Sequence, residues 1–300
     1  MLYTSYIVTR KIIRDIILIV VVSSLIITYY TFRTNAYPKT EVSERTPETL
    51  KFSYENVNFN STDNVALKGW FIPAKKKEEN KNPATVIVLH GYGLTRAEAL
   101  DWCHYLHDTY NLFLFDFRGH GSSGVKPVTF GYKESKDVLG ALEYLKTRSD
   151  VDRTRIGVFG YDIGANAAIL AAAETADIRM VIADSATDRF STRLDTMYEQ
   201  YSFLRKPLAW MTGQWFRFLA QTNPSKFVPA DSVRNTTAPI LLMAAENNDE
   251  GSAQSARDIH QNVISKGTEL WTVSGNYESL FMGQREEYKK RVLQFAGDHL

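Results

Sequence analysis

A single cysteine, Cys103, in 300 residues excludes an intramolecular disulfide. An excess of charge is also missing. Lys and Arg number 35 against 34 Asp and Glu, a net of +1, so bulk charge gives no reason to expect a nucleic-acid partner. There is no internal repeat and no low-complexity tract. What is present is a chain 44% hydrophobic and 23% charged, which excludes a disordered tail, a collagen and a small disulfide-stapled domain.

The near-neutral average hides an uneven start. Residues 1–33 hold Arg10, Lys11, Arg14 and Arg33 against Asp15 alone, so the leader is basic and the remaining body slightly acidic. Residues 16–32 contain no charge. As a helix they would span roughly 25 Å, near the lower end of what crosses a bilayer. Ser23 and Ser24 can bond back to their own helix. Tyr29, Tyr30 and Phe32 sit where an aromatic belt meets headgroups, and Arg10, Lys11 and Arg14 place the N-terminus in the cytoplasm. A cleaved signal peptide needs a small-residue site directly after its apolar core. Here the candidate, Thr34, Asn35 and Ala36, is displaced beyond Arg33. A buried core helix is disfavoured by the charges in front and by the lack of a polar face. The expectation is a signal anchor over 1–33, a polar linker over 34–50 containing Pro38 and Pro47, and an extracytoplasmic domain over 51–300.

Two alternating segments, 52–59 and 65–72, predict a β-hairpin. Fully apolar runs then recur at 85–89, 112–117, 156–159, 180–183, 240–244 and 270–273. Helical patterns separate most of them, near 95–108, 134–147, 163–175, 253–265 and 283–298. Apolar strands of this kind belong to a mostly parallel sheet covered on both faces, a three-layer α/β domain. Residues 187–235 contain no strand pattern. They interleave aromatics such as Tyr198, Trp210, Trp215 and Phe218 with Arg193, Arg205, Lys206 and Arg217, and read as a helical cap insertion. Those aromatics are candidates to line a pocket, to touch a membrane or simply to cover the core edge.

The most informative stretch is Gly160, Tyr161, Asp162, Ile163 and Gly164 between an apolar strand and an alanine-rich helix. The glycines allow strand and helix to pass closely around a sharp turn. This resembles the nucleophile elbow Gly-x-Ser-x-Gly of the α/β-hydrolases, with aspartate where serine belongs. Residues 86–93 read as a strand followed by His90 and Gly91. Asp116, Arg118, Gly119, Gly121 and Ser123 fit the D-x-R-G-x-G-x-S turn, and the match extends over about residues 50–300. The chain is similar to membrane-anchored bacterial α/β-hydrolases of the serine-aminopeptidase-like group. That resemblance implies an α/β-hydrolase fold and an oxyanion hole formed by the N–H groups of Tyr92 and Ile163.

The resemblance also implies a nucleophile, an acid and a histidine in chain order. The nucleophile position holds Asp162, the acid position Asp249 or, one residue earlier, Asn248, and the histidine position Glu278. No histidine lies between His260 and His299, and His90, His104, His107 and His120 read as structural. Without an adjacent base, serine-type acyl transfer at this elbow is excluded. Dehalogenases and epoxide hydrolases of this fold do use aspartate. They also need a histidine and carry a His-Gly-x-Pro loop, whereas this chain has His90, Gly91, Tyr92 and Gly93.

Asp162, Asp249 and Glu278 together form a candidate carboxylate cluster, able to recognise a hard cation or an ammonium group. The alternative is a relict site solvated in an open cleft. No metal and no cofactor are expected. The leading reading is a membrane-held protein with an altered triad, binding a small amphiphilic or peptide ligand. The alternatives are an active hydrolase on an ester, amide or epoxide, using Asp162 as nucleophile or base and Glu278 as acid–base partner, and a structural interaction protein at the membrane surface.

Overall fold

Apolar strands that alternate with helices bury both faces of a sheet, and the eight strands here do so in the order β1-β2-β4-β3-β5-β6-β7-β8. The computed structural model describes residues 2–40, 43–76, 82–246, 253–276, 280 and 283–300. The hairpin is β1 (Glu55–Asn60) with β2 (Ala66–Ile72), and β2 lies antiparallel on β4 (Asn111–Asp116). From β4 onward the sheet is parallel through β3 (Thr85–Leu89), β5 (Ile156–Tyr161), β6 (Ile178–Asp184), β7 (Ile240–Ala245) and β8 (Glu269–Val273). The strands run one or two residues past the apolar segments expected from sequence at several ends. The most consequential extension takes β6 to Asp184.

Helices α1 (Leu2–Ala36), α2 (Arg96–Cys103), α3 (Glu134–Thr147) and α4 (Ile163–Glu174) come first in the chain. The cap comprises α5 (Phe190–Thr196), α6 (Arg205–Leu219) and α7 (Pro229–Ser232), joined by short 3-10 turns. Helices α8 (Ala253–His260) and α9 (Arg285–His299) follow. One apolar cluster joins the sheet to α3, α4 and the cap, and a second joins its other face to α2 and α9.

Register brings the C-terminal ends of three strands together. Leu89 of β3 pairs with Gly160 of β5, and Tyr161 of β5 with Asp184 of β6. The D-x-R-G-x-G-x-S turn beyond β4 is a charge-clamped corner. Buried Arg118 forks onto Asp63 (2.9 and 2.6 Å) and also binds Asp137 (2.7 Å). Asp116 binds Arg96 at 2.8 Å and accepts the Ser122 N–H at 2.9 Å. A Cβ on Gly121 would collide with the Asp116 carboxylate, which explains the glycine.

Helix α1 runs on to Ala36, three residues past the expected end of the anchor. From Thr9 it is long and apolar enough to cross a membrane. Residues 16–23 are exposed, whereas Ser24, Thr28, Phe32 and Ala36, spaced every four residues, lie on the domain side and become buried toward the C-terminal end. Thr28 Oγ1 accepts the Trp215 indole N–H at 3.1 Å, and Phe32 meets Phe216 edge-on at 4.9 Å. The segment expected as a linker is laid against the domain where it is described. Ala36 O accepts the Val128 N–H, Thr40 Oγ1 accepts the Gly121 N–H, and Arg45 pairs with Glu98 and Asp101.

The tightest packing lies at the turn from β5 to α4. A Cβ on Gly160 would fall inside the backbone of Gly164, and one on Gly164 would stand 2.7 Å from the Leu89 carbonyl oxygen. Replacing Gly160 by Ala is therefore expected to cost about 3 kcal/mol of stability, read from urea unfolding of the full chain in mild detergent. An unchanged midpoint would show that strand and helix can separate there.

Candidate active site at the strand-to-helix elbow

Asp162 occupies the turn with φ 51° and ψ −113° and is only 3% exposed. Its ψ lies outside the left-handed helical region in which aspartate is common, so the conformation is strained and persists because the surrounding structure holds it. The turn is held from both sides, since the Asp162 N–H donates to the Asp184 carbonyl at 2.9 Å and the Asn166 N–H to the Asp162 carbonyl at 3.1 Å. Asn166 in turn binds Thr187 and the Phe130 carbonyl, which fixes the start of α4 against two loops.

The carboxylate has a specific partner. Asp162 Oδ2 accepts the Tyr92 N–H at 2.9 Å. Tyr92 is one of the two amides that the sequence resemblance assigns to the oxyanion hole. The other, Ile163, opens α4, where an N–H has no partner within the helix and an anion is favoured. The Asp162 side chain is thus buried and bonded rather than solvated in an open cleft.

Tyr92 is positioned by its surroundings. Its ring stacks on Phe130 at 5.3 Å, with the Arg193 guanidinium over both rings. Its hydroxyl donates to the Asn35 carbonyl at 3.1 Å, in the last turn of α1. Burial pushes the phenol pKa up to about 12, so the donor keeps its proton. On the opposite side of the turn, Trp102 meets Tyr161 edge-on at 5.0 Å.

Two histidines support the same loop. His90 Nε2 accepts the Phe117 N–H at 3.0 Å while Nδ1 faces the Gly91 carbonyl at 2.7 Å. His120 Nε2 accepts the Gly93 N–H at 3.2 Å while Nδ1 faces the Arg118 carbonyl at 3.1 Å. In each ring one nitrogen accepts and the other donates, which defines a neutral imidazole. Burial lowers the pKa of His90 to about 4 and that of His120, helped by the neighbouring His90, to about 3. Both rings brace the oxyanion loop against the β4 corner and are spoken for as bases. His107 is stacked on Phe52 at 3.9 Å and His104 faces the Asp101 carbonyl, both away from the elbow.

Asn248, Asp249 and Glu278 lie outside the described residues, so of the candidate carboxylates only Asp162 is placed. Among the described residues no group of His, Cys, Asp or Glu is arranged to hold a metal ion. One acidic group beside the elbow was not singled out from sequence. Asp184 is fully buried, accepts the Tyr288 hydroxyl at 2.6 Å and the Ser185 hydroxyl at 2.9 Å, and has its pKa raised to about 7 by burial. Its signal was a lone acid directly after an apolar strand.

This geometry is that of an α/β-hydrolase elbow, and comparison with known proteins agrees. The chain belongs to the Alpha/beta hydrolase family, whose model matches residues 86–272, and an acetyl xylan esterase model matches residues 34–136. It is 28% identical over 210 residues to the uncharacterized protein YfhR of Salmonella typhi, covering 65% of this chain and 70% of that protein. It is 25% identical over 256 residues to the alpha/beta hydrolase domain-containing protein WAV2 of Arabidopsis thaliana, covering 83% of this chain and 80% of that one. Among solved structures it is similar to the esterase Pf2001 of Pyrococcus furiosus, with a TM-score of 0.72 and 26% identity over 88% of this chain and 98% of that one. The acetyl xylan esterase of Paenibacillus sp. R4 shares the fold at a TM-score of 0.64 and 15% identity, covering 92% of this chain and 93% of that one.

The neutral histidines give a pH signature. Their folded pKa values lie below the ordinary 6.5, so as pH falls the unfolded chain takes up protons first. Their contribution is complete above about pH 6.5 and is lost toward pH 4. Asp184, raised by burial, acts in the opposite direction, so the comparison must be made between variants at equal pH. His90→Gln is expected to be less stable than wild type at pH 7. The gap should shrink by on the order of 2 kcal/mol at pH 4.5, measured by urea unfolding. A gap independent of pH would mean that the folded imidazole titrates at the ordinary 6.5 of the unfolded chain.

Proposed function

We propose that the chain is a membrane-anchored α/β-hydrolase-family protein that does not run a serine-type acyl-enzyme cycle and instead binds a small amphiphilic or peptide ligand over the elbow. The observation that carries this reading is the 2.9 Å bond from the Tyr92 N–H to Asp162 Oδ2. An ester or amide hydrolysed through a tetrahedral intermediate needs that amide for its oxyanion. Here the position is taken by the protein's own carboxylate, whose charge opposes a second anion beside it. The two nearby histidines have their acceptor nitrogens occupied by the Phe117 and Gly93 N–H groups, so neither is free to act as a base. Residues 1–33 serve as the anchor, with Arg10, Lys11 and Arg14 on the cytoplasmic side and the domain outside the cytoplasm. Asn248 or Asp249 and Glu278 stand at the acid and histidine positions of the degenerate triad.

The test is hydrolysis of p-nitrophenyl acetate and butyrate by the full chain in detergent micelles. Wild type is expected to turn over no faster than Asp162→Ala. The triple variant Asp162→Ser, Asn248→Asp, Glu278→His is expected to gain measurable turnover, since it restores nucleophile, acid and base and frees the Tyr92 amide. Wild-type hydrolysis that disappears in Asp162→Ala would overturn the non-catalytic reading and make Asp162 a working nucleophile or base.

A further inference from the structure

Helix α6 has two dissimilar sides. Trp215 faces α1, edge-on to Tyr29 at 5.4 Å and bonded to Thr28. Trp210, five residues earlier, is turned about 140° around the helix and is 67% exposed. It shares its side with Lys206, Gly213 and Arg217, which follow the i, i+4, i+7, i+11 spacing of one helical face. This face forms one wall of a groove of about 580 Å³ whose other walls include Arg189, Leu194 and Val228. That volume lies within the range of small-ligand sites, and Asp162 is not among its lining residues.

The groove is cationic over an apolar floor. Lys206 and Arg217 are set against Asp195, which pairs with Arg205 at 3.6 Å, while Arg189 is paired with the buried Asp188. Among the described residues neither Lys206 nor Arg217 is paired with a carboxylate. Around it the cap exposes large apolar side chains, Phe203 at 84% and Phe218 at 71%. Cations beside exposed aromatics and an indole at the edge match the chemistry of an anionic headgroup at the start of its acyl chains.

The position on the molecule identifies the source. The exposed apolar side chains of α1 end at Tyr29 and Tyr30, level with Thr28, which is buried against Trp215 of α6. A bilayer crossed by α1 therefore has its surface at the level of α6, one helix diameter from the groove. We propose that the groove takes the headgroup of an anionic phospholipid from the leaflet that receives the C-terminal part of α1. This rests on the anchoring reading given above, and the test separates the two.

The full chain is reconstituted in phosphatidylcholine vesicles containing brominated phosphatidylcholine or, at equal mole fraction, brominated phosphatidylglycerol. Bromine quenches nearby indole emission, and subtracting the signal of Trp210→Phe isolates Trp210. Brominated phosphatidylglycerol is expected to quench Trp210 at least twofold more than brominated phosphatidylcholine. The double variant Lys206→Gln, Arg217→Gln is expected to bring that ratio to one, with flotation of the protein unchanged. Equal quenching in wild type, or a preference that survives in the double variant, overturns the headgroup site. Trp210 shielded from both lipids in protein that floats with the vesicles also overturns it, and a cross-linked dimer would then assign the face to a second copy. Failure to float with phosphatidylcholine vesicles overturns the anchoring reading, and the headgroup site with it.

Discussion

The absence of space between β5 and α4 governs the site. Gly160 and Gly164 touch backbone to backbone, and Gly164 also rests on the end of β3. A chain so constrained has one way to turn, which sets the residue between the glycines at positive φ with its side chain beside the loop after β3. The rest of the neighbourhood secures that turn. Asn166 holds it from α4, Asp184 from β6, and His90 and His120 hold the facing loop from the β4 corner. Backbone contacts set the turn, and the Asp162 side chain adds the bond to the facing loop.

Much of the fold was readable from sequence for a simple reason. Strands buried on both faces must be apolar throughout, so β3 to β7 stand out as runs, and the hairpin stands out as alternation. The elbow and the Asp116–Arg118 corner were legible because each glycine there answers a steric demand that no other residue meets. The bond between Tyr92 and Asp162 was not legible, since seventy residues separate its partners and a carboxylate at that apex can face water equally well on paper. The neutral state of His90 and His120 also depended on which backbone amides reach them. Asp184 escaped notice because one acid at the end of a strand is common and only burial gives it weight.

The cap shows the same division. Its helical character followed from the lack of a strand pattern, but the separate duties of its aromatics did not. Trp215 and Phe216, adjacent in sequence, bind α1 and the core, whereas Trp210 and Phe218 face outward. Helical rotation distributes them, and the choice of which side meets α1 is made by Ser24, Thr28 and Phe32 on a segment almost two hundred residues away.

The hydroxyl of Tyr92 bonds the final turn of α1, while its amide bonds Asp162. One residue thereby joins the long apolar helix to the elbow. A domain on a loose tether sweeps a hemisphere and meets ligands from the bulk. On the anchoring reading proposed above, a domain seated on its own helix keeps a constant height and tilt, so its search for a ligand is confined to a thin layer parallel to the bilayer. Encounter then follows the surface density of the ligand in that layer and its lateral diffusion.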